Sequence, residues 1–171
     1  MAGKTTKDQR KAAYFIIGNI GKNKTNSDCA EILIRIIRSE RDKYALSTLL
    51  DLLAEIPIGN EVDLSPIFEL LTDDRWLVRY SAISALKNTS SQQAEEKLLE
   101  LLQRTEDAHD MVYCHSTLNR IGSARAIPAI ERGLKSRKRD VKLSAEQAIA
   151  SITQRVAAQP IIQPGLATPA G

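Results

Sequence analysis

Five stretches of this chain can be laid over one another at nearly constant spacing. They are residues 9–17, 45–53, 78–86, 110–118 and 141–149, so their last residues fall 36, 33, 32 and 31 positions apart. Self-similarity at this period is the signature of a unit copied along an axis. A short segment follows each of the first four, at 18–21, 54–57, 87–90 and 119–122. Three of them keep an isoleucine (Ile20, Ile56, Ile121) followed by Gly21, Pro57 or Gly122. Gly and Pro at that place are expected to stop a helix. The composition agrees with helices: aromatics are only 4 %, with 8 Gly and 6 Pro in 171 residues, sparse for an all-β sandwich.

A second apolar helix is expected after each turn, over 28–38, 65–71, 94–103 and 126–134. Ile32, Leu33, Ile36 and Ile37 show the helical spacing in the first, and Leu98, Leu99, Leu101 and Leu102 in the third. Ser65-Pro66 reads as a cap followed by a first-turn proline, and Pro128 falls early enough for a first turn. The fifth position of the first helix is small in four copies, Ala13, Ala82, Cys114 and Ala145, with Leu49 the exception. Small side chains there let neighbouring helices approach closely.

The run Asp73-Asp74-x-x-x-Val78-Arg79-x-x-Ala82-x-x-Ala85-Leu86 resembles the first helix of a HEAT-like repeat of the phycobilisome-lyase kind. Ile121-Gly122-x-x-x-Ala126-Ile127-Pro128-Ala129-Ile130 resembles its turn and second helix. The resemblance covers about residues 7–155. It implies an all-α fold, a right-handed α-solenoid of about 4.5 HEAT-like helical hairpins, in which stacking supplies the core that no hairpin has alone. The Val-Arg pair is intact only at 78–79, with Val141-Lys142 an echo, and the second unit has a longer loop at 58–63. The expected organisation is a flexible tail over 1–6, the repeat domain over 7–156, and a Pro/Gly-containing tail over 157–171.

The net charge of +3 hides a polarity. Residues 1–40 sum to +4, 41–80 to −4, 81–121 to −2 and 122–171 to +5. By family analogy the second helices line the concave face, which places Glu69, Glu95, Glu96 and Glu100 in a central acidic strip there. Such a strip attracts and steers a basic partner. Arg125, Arg132, Lys135, Arg137, Lys138, Arg139 and Lys142 form a basic end suited to phosphate or nucleic acid. Beyond Tyr113 it has no aromatic residue for stacking. Trp76, the sole Trp, reads either as a binding anchor or as packing between repeats.

Catalytic chemistry has little to draw on. There is no GxSxG, HExxH, P-loop or GxGxxG pattern, and no cofactor or metal motif. His115 follows Cys114 on the same helix, where adjacent positions point about 100° apart, so a Cys-His dyad is not expected. Cys114 reads as a buried core residue. Two cysteines without CxxC spacing point to a reducing compartment, and Met1 to Arg10 lacks a secretory apolar core. No apolar run reaches the roughly 20 residues of a membrane span. Cytoplasmic residence follows.

The reading is a non-catalytic protein-binding scaffold, with a basic protein partner on a centrally acidic concave face. Glu69, Trp76, Glu95, Glu96, Glu100, Arg132 and Lys135 are the candidate contact residues. An immunity or regulatory role is one concrete form. The alternatives are a nucleic-acid-associated module using the basic ends and a lyase-like enzyme subunit. Neither a membrane association nor an oligomeric state is indicated.

Overall fold

A computed structural model describes residues 5–24 and 27–158. The expected tails at 1–6 and 157–171 lie mostly outside the described residues. Among those described there are nine α-helices: α1 (Lys7–Lys24), α2 (Ser27–Ile37), α3 (Lys43–Leu53), α4 (Ser65–Phe68), α5 (Trp76–Ala85), α6 (Gln92–Arg104), α7 (Ala108–Ile121), α8 (Ile127–Glu131) and α9 (Arg139–Ala157). The odd-numbered helices form one layer, each packed on the next. α2 beside α4, and α6 beside α8, form the second layer. The chain is an all-α helical repeat.

Asp42 and Asp107 start the third and seventh helices by accepting hydrogen bonds from two backbone N–H groups each, Tyr44 and Ala45 for one, His109 and Asp110 for the other. At α4 the expected cap shifts. Ser65 is the first helical residue, and Asp63 accepts its N–H at 2.9 Å. α4 and α8 are shorter than expected, because each tightens into a 3-10 turn, Glu69–Thr72 and Arg132–Lys135. Such i→i+3 bonding is a common way to close a helix end.

The core runs along the interface between layers. Leu49, Ala82, Cys114 and Ala145, the fifth-position column, are all fully buried. Ala13 departs from that column and is exposed, while its neighbour Tyr14 is buried. Among the described residues α1 packs on α3 and α2, and its opposite side is left uncovered. Gly18 and Gly21 also depart from expectation: α1 runs through both to Lys24. A Cβ on Gly18 would lie 2.9 Å from Leu52 Cδ2, and one on Gly21 2.8 Å from Cys29 Cβ. These glycines permit close helix approach instead of ending a helix. Gly122 does end α7, its N–H bonding Leu118 O at 2.7 Å.

Polar rungs join residues about one repeat apart. Ser47 and Ser81 share a buried hydrogen bond of 2.8 Å, Thr117 Oγ1 donates to Ile83 O at 3.1 Å, and Asn88 Nδ2 donates to Ala54 O at 2.6 Å. Arg79 reaches Asp110 at 2.8 Å, and Arg155 donates to Gly122 O at 2.8 Å. At the first rung, Arg10 makes a two-pronged contact with Glu40, to which Tyr14 Oη also donates at 2.7 Å. The Arg10 contact outweighs burial and holds the Glu40 carboxyl down at about 2. Burial and the same carboxylate push Tyr14 up to about 12.

Gly21→Val is expected to destabilise the fold by about 1–3 kcal/mol through overpacking against Cys29 and Ile56, read by thermal unfolding. Were Gly21→Ala and Gly21→Val both to raise the melting temperature, the close approach would not be what the glycine serves.

Candidate functional site

Tyr80 and Tyr113 are 33 residues apart, one repeat, on adjacent helices α5 and α7. Their rings stack with centroids 4.8 Å apart. Trp76, one turn before Tyr80, tilts against it at 5.6 Å, and His109 stacks on it at 5.8 Å from the other helix. Tyr80 is nearly buried at the centre of this group. Trp76 is 60 % exposed, and Tyr113 and His109 are also open to solvent. Arg79 lies 5.3 Å from the Tyr80 ring centre, so the cluster already holds one cation–π contact. Asp107, beside His109 and the Tyr80 hydroxyl, stays partly exposed, and Asp74 is exposed two residues before Trp76. The repeat period carried the signal for Tyr80 and Tyr113, since side chains one period apart on first helices become neighbours.

The acidic residues are not left as one open strip. Glu95 is buried, not exposed as expected. Its Oε1 accepts 2.8 Å hydrogen bonds from the backbone N–H and the hydroxyl of Ser123, which fastens α6 to the turn after α7. Glu69, Glu96 and Glu100 are at the surface, each beside a cation: Arg38 at 3.7 Å, Arg125 at 3.6 Å and Lys97 at 2.8 Å respectively. The Lys97 hydrogen bond lowers the Glu100 carboxyl from its usual range.

Arg132 is likewise tied to the structure. Its guanidinium donates to Leu102 O, Gln103 O and Thr105 O at 3.1, 2.9 and 3.2 Å, holding the end of α6. Lys135 is different. With Arg137 and Lys138 it lines a cleft of about 310 Å³ that Arg132 and Met111 also border. Among the described residues no ion pair engages Lys135, Arg137 or Lys138.

Cys114 and His115 are both fully buried, and neither faces a cleft. Burial pushes the Cys114 thiol above its ordinary range. His115 Nδ1 lies 2.9 Å from Ser144 Oγ, whose hydroxyl donates to Val141 O at 3.0 Å. That leaves Nδ1–H as the donor and Nε2 as a bare acceptor, which has no hydrogen-bond partner. The ring lies against Gly133, where a Cβ would come within 2.6 Å of Cε1. Burial holds His115 down at about 4. Among the described residues no group of three or more His, Cys, Asp or Glu could hold a metal ion, and no helix is long and apolar enough to cross a membrane.

A family model for HEAT repeats matches residues 64–150, just over half of the chain. The match is to the repeat and singles out no subtype. No curated protein matches the chain.

The His115 environment sets a pH dependence of stability. Above pH 6.5 the ring is neutral folded or unfolded and contributes no slope. Between pH 6.5 and about 4 the unfolded chain takes up a proton that the fold refuses, so stability falls as pH falls. The shift corresponds to about 3 kcal/mol at the lower end. Urea unfolding from pH 7 to 4.5 should show this loss, and His115→Asn, which keeps a donor for Ser144, should flatten it. Parallel curves for the two proteins would show that His115 accepts a proton in the fold.

Proposed function

From the premise that the chain belongs to the HEAT-repeat family, we propose that it is a protein-interaction scaffold whose principal contact surface is the Trp76–Tyr80–Tyr113–His109 patch. HEAT repeats are generally protein-interaction scaffolds, and the fold is typically non-catalytic. The observation that carries this reading is the 60 % exposure of the sole tryptophan on top of a stacked aromatic cluster. Large aromatic side chains left in water by the fold are the residue type that dominates binding energy at interfaces.

The partner we propose is basic. Asp107 beside His109, and exposed Asp74 two residues before Trp76, suit an arginine or lysine side chain by charge, and the exposed aromatic rings suit it by cation–π attraction. Glu69, Glu96 and Glu100 add a long-range field, moderated by the cations beside each. The biological form we propose is regulatory, the sequestering of a basic protein, of which immunity is one version. A second reading rests on Lys135, Arg137 and Lys138: three cations that no ion pair engages among the described residues, around one cleft whose bordering Glu106 is paired with Arg132, suit a phosphate group or nucleic acid.

Because Trp76 is the only tryptophan, its emission reports directly on the patch. Titration with an Arg/Lys-rich peptide is expected to give a saturable spectral shift that a Glu/Asp-rich peptide does not. By calorimetry, Trp76→Ala and Tyr113→Ala should each weaken binding about 10- to 30-fold, with little change in melting temperature. Glu96→Lys with Glu100→Lys should change mainly the salt dependence. Saturable binding unaffected by Trp76→Ala would move the site elsewhere, and binding of duplex DNA lost on Lys135→Ala/Arg137→Ala/Lys138→Ala would favour the second reading.

A further inference from the structure

The two ends of the stack are finished differently. The last helix, α9, exposes Arg139, Lys142, Glu146, Gln147 and Gln154, with Leu143 and Val156 the large apolar residues among them. That is a largely polar outer face. The first helix does the reverse. Gly18 lies against Leu52 of α3, and Tyr14 bonds Glu40 before α3. Residues two places from Gly18 point about 200° away from it. Ile16 and Ile20 therefore face away from the stack, 59 % and 43 % exposed, with Ala12 and Ala13 exposed beside them. In the second layer, Ile34 of α2 and Arg38 just after it line a small cleft with Pro66 and Asp63. Ile32, two places earlier, points the opposite way and is 46 % exposed. Both layers thus present apolar side chains at the same open end, Ile32 standing between exposed Asp28 and Arg35, one turn away on either side.

Three of the charges of α1 turn away from that end, while Asp8 is exposed next to Gln9 in sequence. Lys7 reaches Asp42, Arg10 reaches Glu40 and Lys22 reaches Glu55, all toward the α3 side. Residues Gln9, Ala12, Ile16, Ile20 and Asn23, one helical stripe, carry no charge in a helix with several lysines. A neutral stripe of this kind can meet its own copy without like-charge repulsion.

We infer that this end is a homodimer surface, occupied by the same end of a second copy related by a two-fold axis. The stripe is self-complementary when antiparallel. Centring the axis on Ile16 sets Ile16 against the partner copy's Ile16, small Ala12 against Ile20, and Gln9 against Asn23, amide to amide. The axis runs from one layer to the other, so α2 meets α2 and Ile32 closes the second layer. This is an isologous contact, which ends after two subunits. The face is about 22 Å along α1 and roughly two helices wide, or about 900 Å² over both copies. That is at the small end for specific interfaces and fits a reversible dimer.

Sedimentation equilibrium of the full chain over a wide concentration range tests it. A monomer–dimer equilibrium is expected. Ile16→Glu with Ile20→Glu should weaken it about 100-fold or more while leaving the circular dichroism spectrum unchanged, because both positions are exposed in one chain. Ile16→Cys should cross-link to itself under mild oxidation, with little background from Cys29 and Cys114, which are buried. The register is read by charge. Gln9→Lys with Asn23→Lys should abolish the dimer, and Gln9→Glu with Asn23→Lys should strengthen it. The two sites are 14 residues apart on one helix and cannot touch within a chain. A monomer at every concentration overturns the inference. So do assemblies that keep growing past two, which would mean a head-to-tail contact, and loss of the dimer on deleting residues 159–171, which would make that segment the occupant. These outcomes are independent of the Trp76 patch and leave the scaffold reading to its own test.

Discussion

The contact of each first helix on the next, α1 on α3 through to α7 on α9, is what every other feature hangs on. No single hairpin here can bury its apolar stripe, so burial of Leu49, Ala82, Cys114 and Ala145 depends on the neighbour being in place. Close packing along this row leaves little room for backbone polar groups or long side chains. The polar rungs answer that constraint. Ser47 to Ser81, Thr117 to Ile83 and Arg79 to Asp110 each bond across one period. A buried polar group without a partner costs about 1–3 kcal/mol, so the rungs specify register as well as contributing stability. His115 is the exception within the row, with one ring nitrogen satisfied and the other bare.

The repeat was legible because a periodic fold writes its period into the sequence. Apolar residues at helical spacing located every helix, and Asp42 and Asp107 are ordinary caps. What could not be read was which neighbour each face would meet. Gly18 and Gly21 look like terminators locally, and only the position of Leu52 and Cys29 reveals them as contact points inside a helix. Ala13 matches its column in sequence but belongs to a helix on whose far side no described residue stacks. Glu95 and Glu96 are adjacent glutamates on one helix. One is taken inward by Ser123 and the other stays at the surface, a difference set by a turn 28 residues away in sequence. Trp76 kept two readings because a residue at the first turn of a helix can face either way.

A solenoid of this kind sorts its polar and aromatic residues by use. Those bound into rungs and helix ends, Arg79, Glu95 and Arg132 among them, could not turn to a partner without loosening the stack. Charge marks Glu95 and Arg132 as candidate contacts, but charge does not distinguish a side chain held by three carbonyls from one free in solvent. Once the held residues are set aside, the acidic centre shrinks to Glu69, Glu96 and Glu100, each with a cation beside it. Exposed ion pairs of this sort are worth little to stability and hold little of the field that free carboxylates would.

Among the described residues, three uncommitted places stand out: the aromatic patch around Tyr80, the cations at 135–138, and the apolar end formed by α1 and α2. The fold makes no use of the outer faces of Trp76, Ile16 or Lys135, and for the two apolar ones exposure has a cost that burial against a partner would remove. The three places also lie on different surfaces. The aromatic patch is borne by first-layer helices in the middle of the stack, the cations by the turn before α9, and the apolar residues by the opposite end. Occupation of one leaves the others open, so pairing at the α1 end would set two aromatic patches on one rigid body. Two weak sites joined that way bind a partner with two matching elements far more tightly than either does alone.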